Sequence, residues 1–579
     1  MGTISDKLMR IINTKEDIRQ ALISKGYDVP TSIPFKEYAK MISDLPCRVD
    51  SFPDIEGIVA RYSALGLTNE QMAENPVWKD LTDNGHDLQM KNLAWKGMSG
   101  VGGYVGDFSK WVNNRDTTEI GITKSNSKVI IDVKVSQGSG NNIVFISKSN
   151  LGISNNVTIK ITSTYPEGVM KFANSASNKY LKLPSNGIIT LQDNPEYTSN
   201  EMHLHLASAD LGQITIEQLP LYPGALVFDG VDDYGVCDNF PILTKEKGYT
   251  VVALRQWITY NPNAISAIAT NASDQSFNGA FTFENYNKGA EQTISYGATQ
   301  ISLQYSKSPF SWQTTSKYNG VNIANGNKDA TNSLVLGRSY PQRNDFANFA
   351  IWELVFLDHD ATEEELTKIK DYFVKTYPWL FFDQAWTVTG KTNEDEDRAT
   401  IANITGNGNN LVLSNFGFIE GSGYNEEGQH AGYLVTDGVD DMITSSAFQM
   451  GKDFTIVGDW KFIDNKKSGT GLVKGSSFYI YNTMIGLDLY INSGSVKNSL
   501  DGIKSINAAC SDGRAYDRNW NEILANTGNV VGSGGMLEVS SSSGRFDRIA
   551  FKNLAIYPRI LSKDDCIKAY NYLQTLKSK

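Results

Sequence analysis

GALVFDGVDDYG, residues 224–235, joins a hydrophobic run to a segment with three carboxylates, Asp229, Asp232 and Asp233. An Asp-Gly pair supplies the positive φ that a tight turn requires, and Asp side chains that follow it can accept hydrogen bonds from backbone N–H groups. This pattern predicts a strand followed by a turn. The carboxylates also raise the question of a calcium site or an acid/base pair.

The same stretch marks an internal repeat, because Gly230–Asp233 recurs as Gly438–Asp441. Three further matches occur in the same order in both halves of the chain, which indicates a duplicated domain. The matched segments are GLTNE from Gly66 with GKTNE from Gly390, LTDNG from Leu81 with ITGNG from Ile404, and AIWELVFLDHDATEEELTKIKDYF from Ala350 with AFKNLAIYPRILSKDDCIKAYNYL from Ala550.

The spacing of the matches locates an insertion in the first copy. Tyr424 lies 8 residues before Gly432, whereas Tyr104, taken as its counterpart, lies 120 residues before Gly224, so about 112 residues are added. Within the insert, SKVIIDVKV and NVTIKIT alternate apolar and polar residues with period 2. That period is typical of strands with one buried face, and it predicts a small inserted β-sandwich.

Each copy is predicted to end on a helix. Thr362 with Glu365, and Ser562 with Asp565, have the spacing of an N-cap and the third helical residue. The first pair forms a capping box and the second imitates one.

The composition indicates a globular β protein of several domains. The 579 residues include 50 Gly, 27 Tyr and 25 Phe, a usage typical of short strands joined by tight turns. No apolar stretch approaches the roughly 18 residues that a membrane helix needs, so membrane insertion is not expected. A net charge of −11 without a dense cluster of Lys or Arg argues against nucleic acid as a partner.

The first 20 residues interleave charged and apolar side chains and lack the apolar core of a signal peptide. The four cysteines, at positions 47, 237, 510 and 566, have no CxxC spacing, which favours free thiols over a zinc site or a disulfide framework. Synthesis in a reducing cytoplasm is the expectation. Residues 1–45 carry three short amphipathic helical patterns, which predict a helical anchor at residues 1–48 whose apolar faces bind a partner chain. The alternative is a small helical cap on the neighbouring domain.

Three elements together resemble the concanavalin A-like and laminin-G-like jelly rolls: the NGHD turn at Asn84–Asp87, the strand Leu226–Tyr234 and the closing segment Ala350–Phe373. Partial twins stand at Asn407–Asn410, Leu434–Asp441 and Ala550–Leu573, although Thr436 and Met442 depart from the pattern. The resemblance implies a mainly β fold: the N-terminal helical anchor, then two jelly-roll sandwiches, the first interrupted by the inserted sandwich. The implied domains are residues 52–116 with 220–380, the insert 117–219, and residues 381–579.

IINTKEDIRQALISKGYDVPTSIPFKEYAKMI, from Ile11, together with NPVWKDLTDNGHDLQMKNLAWKGMSGVGGY, from Asn75, resembles the start of virion structural proteins of tailed phages of gut bacteria, the crAss-like phages among them. This resemblance implies a helical segment that joins the particle and sandwich modules that project from it. Its implied partners are other virion proteins, bound through residues 1–45, and further copies of the chain.

The carboxylates do not form a calcium loop of the EF-hand kind. Counting from Asp229, the third position is Val231 and the twelfth is Phe240, where that loop requires oxygen ligands. A laminin-G-type calcium site at the sandwich rim remains as an alternative to the turn. Its ligands would be Asp229, Asp232 and Asp233 in the first copy and Asp437, Asp440 and Asp441 in the second. No other cofactor is indicated.

Catalytic motifs are not found, and the chain is predicted not to be an enzyme. No E-x-D-x-x-E strand, GxSxG elbow or P-loop occurs, and the acidic run at residues 393–397 is typical of a solvated loop. His203 and His205 share one face of a predicted strand without a third metal ligand nearby, so they are interpreted as ordinary surface or half-buried residues.

Trp312 and Trp520 lie in turn-rich stretches and are the candidates for stacking on sugar rings, with a core or rim position as the alternative. The resulting hypothesis is a phage virion structural protein, a fibre or fibre-like appendage located in the virion and binding a cell-surface glycan. The alternatives are a bacterial lectin or adhesin, and a glycan depolymerase.

Overall fold

The computed structural model describes most of residues 52–578, together with Lys15 and Arg19, both helical. The anchor predicted at residues 1–48 otherwise lies outside the described residues. Within 52–578 the description leaves out 111, 114–119, 136–143, 148–156, 166–169, 175–179, 192–201, 207–210, 244–246, 260–266, 273–281, 284–298, 306–329, 339–343, 407, 428–429, 464–470, 475–477, 483–485, 492–499, 502–505, 525–533, 540 and 543–544.

The chain is mainly β, as predicted, and its strands form two large sandwiches and one inserted sandwich. The first sandwich begins with four strands and resumes after the insert. Its opening strands are β1 (Ile58–Ser63), β2 (Val77–Trp78), β3 (Leu88–Lys91) and β4 (Gly100–Val101).

The inserted sandwich has two five-stranded sheets, ordered β11-β10-β13-β8-β5 and β12-β9-β14-β7-β6. The predicted period-2 strands form β7 and β9, where Val129, Ile131, Val157, Ile159 and Ile161 are buried in one core. The ten strands are β5 (Val112–Asn113), β6 (Ile120–Lys124), β7 (Lys128–Val133), β8 (Val144–Ser147), β9 (Val157–Ser163), β10 (Met170–Asn174), β11 (Tyr180–Lys182), β12 (Asn186–Leu191), β13 (Met202–Leu206) and β14 (Gly212–Gln218).

The remaining strands of the first sandwich complete two facing sheets. One has the order β20-β17-β22-β15-β4, with β1 also paired to β22, and the other has the order β19-β18-β21-β16-β3-β2. These strands are β15 (Leu226–Asp229), β16 (Tyr234–Cys237), β17 (Thr250–Trp257), β18 (Ala269–Ala272), β19 (Thr282–Phe283), β20 (Gln300–Tyr305), β21 (Ala330–Leu336) and β22 (Asn348–Leu357).

The second sandwich repeats this plan with sheets ordered β26-β27-β40-β29-β34-β35-β36, where β23 also pairs with β40, and β24-β25-β28-β37-β30-β31-β32-β33. Strands β38 and β39 form a separate pair. The strands are β23 (Gln384–Thr387), β24 (Thr400–Ile401), β25 (Leu411–Ser414), β26 (Gly423–Asn425), β27 (Tyr433–Val435), β28 (Met442–Gln449), β29 (Thr455–Phe462), β30 (Gly471–Lys474), β31 (Phe478–Asn482), β32 (Gly486–Ile491), β33 (Leu500–Asp501), β34 (Ile506–Cys510), β35 (Arg514–Asp517), β36 (Glu522–Leu524), β37 (Gly534–Val539), β38 (Ser541–Ser542), β39 (Arg545–Phe546) and β40 (Ile549–Tyr557).

Three helices of the described residues are α1 (Asn69–Glu74), α2 (Glu363–Thr376) and α3 (Lys563–Leu573). Both predicted helix starts are confirmed by their hydrogen bonds. The N–H of Glu365 donates to Thr362 Oγ1 over 3.3 Å, and the N–H of Thr362 donates to the Glu365 carboxylate over 2.8 Å, which completes a capping box. At α3, Ser562 Oγ accepts from the N–H of Asp565 over 3.1 Å.

The two large sandwiches share a β-bulge, which extends the duplication to details that the sequence matches do not specify. In the first sandwich, Leu254 pairs with Glu353 and Arg255 pairs with Ile351. Trp352 on β22 is therefore the additional residue between the two pairs.

The second sandwich has its bulge at the corresponding point. Asp459 pairs with Asn553 and Trp460 pairs with Phe551, so Lys552 on β40 is the additional residue. A bulge re-aims the side chain that it carries, and the two copies use this position for residues of different chemistry, tryptophan and lysine.

The chain divides into two compact units, within each of which most residue contacts are made. One comprises residues 1–56 with 362–376, and the other comprises residues 57–361 with 377–579 and so contains all three sandwiches. In the first unit, the rings of Phe52 and Tyr372 meet edge to face, with centroids 5.0 Å apart.

Replacing Gly230 by alanine should destabilise the first sandwich by about 2 kcal/mol, because two penalties combine. Its φ is +76°, and an added Cβ would lie 2.8 Å from the Asn348 Cβ. The matched control is Gly66→Ala, since Gly66 has a φ of +85° with nothing within 4 Å of the added atom. Urea unfolding that gives equal losses for the two variants would contradict the close approach at Gly230.

Candidate functional site

The predicted carboxylates of the first copy form one part of a larger arrangement at the rim of the first sandwich. Asp233 follows the turn and is 0% exposed. Its Oδ1 accepts from Ser99 Oγ over 2.9 Å, and its Oδ2 accepts from the N–H of Asp229 over 2.9 Å. Asp229 Oδ1 in turn accepts from the N–H of Val231 over 2.8 Å. These bonds fix the turn, and Val231 at its tip is 70% exposed.

A second loop lies against this turn. Asn92 Nδ2 donates to the carbonyl of Asp232 over 3.1 Å, and Ser99 Oγ accepts from the N–H of Ala94 over 2.8 Å. Asn92 and Trp95 both have positive φ, +66° and +52°. A tryptophan in this region is strained by roughly 1–3 kcal/mol, and residues held in this way are concentrated at functional sites. We call Asn92, Trp95, Ser99, Asp229, Asp232 and Asp233 rim site one.

The second sandwich reproduces the arrangement. Asp441 Oδ1 accepts from Ser422 Oγ over 3.1 Å, and its Oδ2 accepts from the N–H of Asp437 over 2.8 Å. Asn415 Nδ2 donates to the carbonyl of Asp440 over 3.0 Å. We call the equivalent set rim site two: Asn415, Phe418, Ser422, Asp437, Asp440 and Asp441.

Backbone strain and exposure are also matched at rim site two. Asn415 and Phe418 have φ values of +68° and +49°, and Val439 at the tip of the turn is 67% exposed. The two rims therefore present the same backbone conformation, with an exposed valine and an exposed carboxylate, Asp232 or Asp440. The aromatic ring of each loop, Trp95 or Phe418, is half-buried and packs against the core of its sandwich.

The loops that carry the aromatic residues were missed in the sequence analysis, although the repeat contains a pattern that could have found them. Both copies read N-x-x-[W/F]-x-x-x-S-G, from Asn92 to Gly100 and from Asn415 to Gly423.

The same segment corrects one alignment. Asn69 bonds both backbone groups of Val101, and Asn393 bonds both backbone groups of Tyr424. Tyr424 is thus equivalent to Val101 and not to Tyr104, so the inserted length is three residues greater than the spacing indicated.

Burial raises the pKa of the inner carboxyl of each rim, that of Asp233 at rim site one and that of Asp441 at rim site two. Loss of solvent raises the pKa of Asp233 to about 7, the neighbouring charges of Asp229 and Asp232 add to this, and hydrogen bonds from the Asp229 N–H and Ser99 oppose it. The same causes raise the pKa of Asp441 to about 6. Because both oxygens of each inner carboxyl accept protein hydrogen bonds, neither is placed to protonate a bound substrate.

The three carboxylates of each rim meet part of the requirement for calcium. Their ligand atoms lie within 4.8 Å of one another in both copies. Calcium takes six to eight oxygen ligands, however, and both oxygens of Asp233 and one of Asp229 already accept hydrogen bonds from protein donors. The turn accounts for these bonds without an ion, and the rim calcium site stays a prediction.

The structure corrects the prediction that Trp520 is a sugar-stacking platform. Trp520 is 1% exposed, its ring meets that of Tyr570 edge to face at 5.6 Å, and its Nε1 donates to Thr190 Oγ1 over 3.2 Å. It fixes the inserted sandwich against the second sandwich. A turn-rich stretch is exposed only where no other domain packs on it.

Other sequence candidates are placed as follows. Trp312 lies outside the described residues. His203 and His205 lie on strand β13, as predicted. In the acidic run, Asn393 bonds Tyr424, and Asp395 accepts hydrogen bonds from Thr392.

Comparison with known proteins gives no match to a protein-family description and no match among curated proteins. Solved structures similar to the chain include a Trypanosoma rangeli sialidase in complex with sialic acid, with a TM-score of 0.23, 7% identity, and coverage of 78% of this chain and 61% of that chain. The chain thus spans about three fifths of that sialidase. The botulinum neurotoxin serotype D binding domain is also similar, with a TM-score of 0.22, 10% identity, and coverage of 60% of this chain and 89% of that chain.

The sialidases correct the prediction that the protein is not an enzyme. They are enzymes, and one in complex with a covalent-intermediate analogue matches over 79% of this chain with a TM-score of 0.25 and 8% identity. Likeness at this level does not transfer an activity to the chain. No helix of the described residues is long and apolar enough to cross a membrane.

Replacing Asp233 by asparagine should change how stability depends on pH. The raised pKa means that, between about pH 4 and pH 7, the folded protein keeps a proton that the unfolded chain has released, so wild type loses stability as pH rises through this window. As pH rises from 5 to 8, the free energy of unfolding of Asp233→Asn should increase by roughly 2 kcal/mol relative to that of wild type, as measured by urea unfolding.

An exposed acid away from the rims supplies the control, and Asp453→Asn should follow the wild-type pH profile. An Asp233→Asn penalty that is constant over this range would show that burial does not perturb the carboxyl. In a parallel series, a calcium ion at rim site one would stabilise wild type on addition of calcium chloride and would not stabilise Asp233→Asn.

Proposed function

We propose that the protein binds glycans through rim site one and rim site two as a structural component of a phage particle. The observation that carries the glycan part is the duplication of a strained, hydrogen-bonded rim with the same residue types in both sandwiches. Strain kept at equivalent points of two diverged copies favours a role beyond folding.

The exposed groups of each rim suit a sugar. Carboxylates such as Asp232 and Asp440 accept hydrogen bonds from hydroxyl groups, and the exposed part of the half-buried Trp95 or Phe418 ring offers apolar contact for the C–H face of a pyranose ring. Because the turn is fixed by Asp233 or Asp441, little conformational entropy is lost when a ligand binds. A shallow rim of this kind supports weak binding at each site.

Two equivalent rims on one chain increase the apparent affinity for a surface that repeats its sugars, since the second contact forms at a high effective concentration. Assembly of several chains around a symmetry axis would multiply the effect. We therefore propose a homo-oligomer whose partner is a glycan on a cell surface.

The virion role is supported by the sequence resemblance of residues 11–42 and 75–104 to structural proteins of crAss-like and related phages. In this proposal residues 1–45 dock on other virion proteins, and the chain is made in the host cytoplasm and incorporated into the particle. The sandwiches would project as a fibre or fibre-like appendage.

Replacing the exposed carboxylate of each rim by an amide tests the glycan sites. On an immobilised cell-surface polysaccharide, Asp232→Asn or Asp440→Asn should weaken retention about tenfold, and the double variant should abolish it, because avidity requires both rims. Asp453→Asn with Glu522→Gln, two exposed acids away from the rims, makes the same change in net charge and should leave retention unchanged.

Unchanged retention by the double variant would contradict the rim sites. The length of the polysaccharide chains is measured in the same samples, since shortening would show that the protein also cleaves its ligand.

Deleting residues 1–45 should abolish incorporation into particles while the truncated protein still binds the polysaccharide. Particles assembled in cells that express the tagged full-length or truncated chain are purified and probed for the tag. Incorporation of the truncated chain at the full-length level would show that the attachment lies elsewhere.

A further inference from the structure

One face of the second sandwich carries a cluster of cationic side chains. Tyr433 on β27, Lys552 on β40 and Lys461 on β29 lie on three strands of one sheet. The two lysine Nζ atoms lie 4.6 Å (Lys461) and 5.7 Å (Lys552) from the centroid of the Tyr433 ring. Cation–π attraction to this single ring holds both ammonium groups close together.

One buried carboxylate supports the cluster from below. Asp459 is 0% exposed, and its two oxygens lie 3.1 and 3.0 Å from the Tyr433 hydroxyl, which donates to the carboxylate. Lys461 and Lys552 both act on Asp459 electrostatically, and burial raises the pKa of Asp459. Two lysines therefore stand over one acid, and the lysines are half-buried while the acid is inaccessible to solvent.

One further cationic group, Arg548, extends this face. Lys461 and Arg548 both act on His430, whose pKa is lowered to about 4, chiefly by burial and then by these two charges. In a chain with a net charge of −11, three cationic side chains thus lie near Tyr433 or His430.

The first sandwich provides an internal comparison. Its bulge carries Trp352, which is buried, donates from Nε1 to the carbonyl of Pro223 over 2.9 Å, and meets the ring of Tyr572 on α3 edge to face at 6.2 Å. The bulge position there serves contact between sandwiches. In the second sandwich the same bulge presents Lys552, which contributes to no such contact among the described residues. The same bulge position thus holds a buried tryptophan in the first copy and a half-buried, charged lysine in the second.

We propose that this face, Lys461 and Lys552 at the Tyr433 ring with Arg548 near His430, binds the anionic groups of an acidic polysaccharide. The inference rests on the proposed glycan-binding function and names the class of glycan. Ammonium and guanidinium groups donate charge-assisted hydrogen bonds to carboxylates and sulfates, and partial burial reduces competition from water. The two lysines lie on neighbouring strands, β29 and β40, which are about 4.8 Å apart, and Arg548 directly precedes β40. This spacing suits an extended polyanion lying across the sheet.

The test compares the full-length protein with Lys461→Gln/Lys552→Gln on two acidic probes, polygalacturonate for carboxylate and chondroitin sulfate for sulfate, and on neutral dextran. The double variant should lose about tenfold in affinity for at least one acidic probe, and the dependence of log K on log salt should become shallower by about two. Lys461→Arg/Lys552→Arg should retain binding, which separates lost charge from lost folding.

Lys134→Gln/Lys160→Gln changes the net charge equally at exposed positions of the inserted sandwich and should bind the acidic probes like wild type. Equal losses in this control, or an unchanged salt dependence in Lys461→Gln/Lys552→Gln, would overturn the site. Wild-type binding to neutral glycans alone would overturn this inference and leave the rim sites standing. Failure to bind any polysaccharide would overturn both.

Discussion

Each large sandwich depends on one buried carboxylate at its rim. Asp233 and Asp441 each accept a backbone N–H from the start of their own turn and a serine hydroxyl from a separate loop. Burying an ionisable group is costly unless hydrogen bonds compensate, and here those bonds connect two segments that are distant in sequence. The bonds determine where the exposed turns and the strained aromatic residues lie.

Duplication allowed the two copies to keep one framework and to change what surrounds it. Both retain the asparagine that bonds the turn, the serine and the inner aspartate of the rim. Both also retain the bulge, on β22 in the first copy and on β40 in the second. The outer faces differ: Trp352 packs toward α3 in the first copy, whereas Lys552 joins a cationic face in the second. Under the proposed function, the rims give repeated, similar contacts, and the cationic face of the second copy adds selectivity for charge.

Local patterns predicted much of the fold. Alternating residues such as Val129 and Ile131 identified strands, capping residues identified the starts of α2 and α3, and the repeated Asp-Gly turn identified the duplication. Long-range contacts were not accessible in this way: Trp520 lies in a turn-rich stretch, and only the docking of Thr190 from the insert buries it. The cationic face was missed because its residues come from three strands separated by up to about a hundred positions. The prediction of a non-enzymatic protein rested on absent motifs, which do not define what a sandwich can do.

The central claim is that the two rims are equivalent binding sites. Isothermal titration of the full-length protein with a short neutral oligosaccharide, cut from the polysaccharide that retains it, tests this most directly. The account predicts two sites per chain with similar affinity, of which Asp232→Asn removes one and Asp440→Asn the other. A single site per chain, or two sites that survive both substitutions, would contradict it.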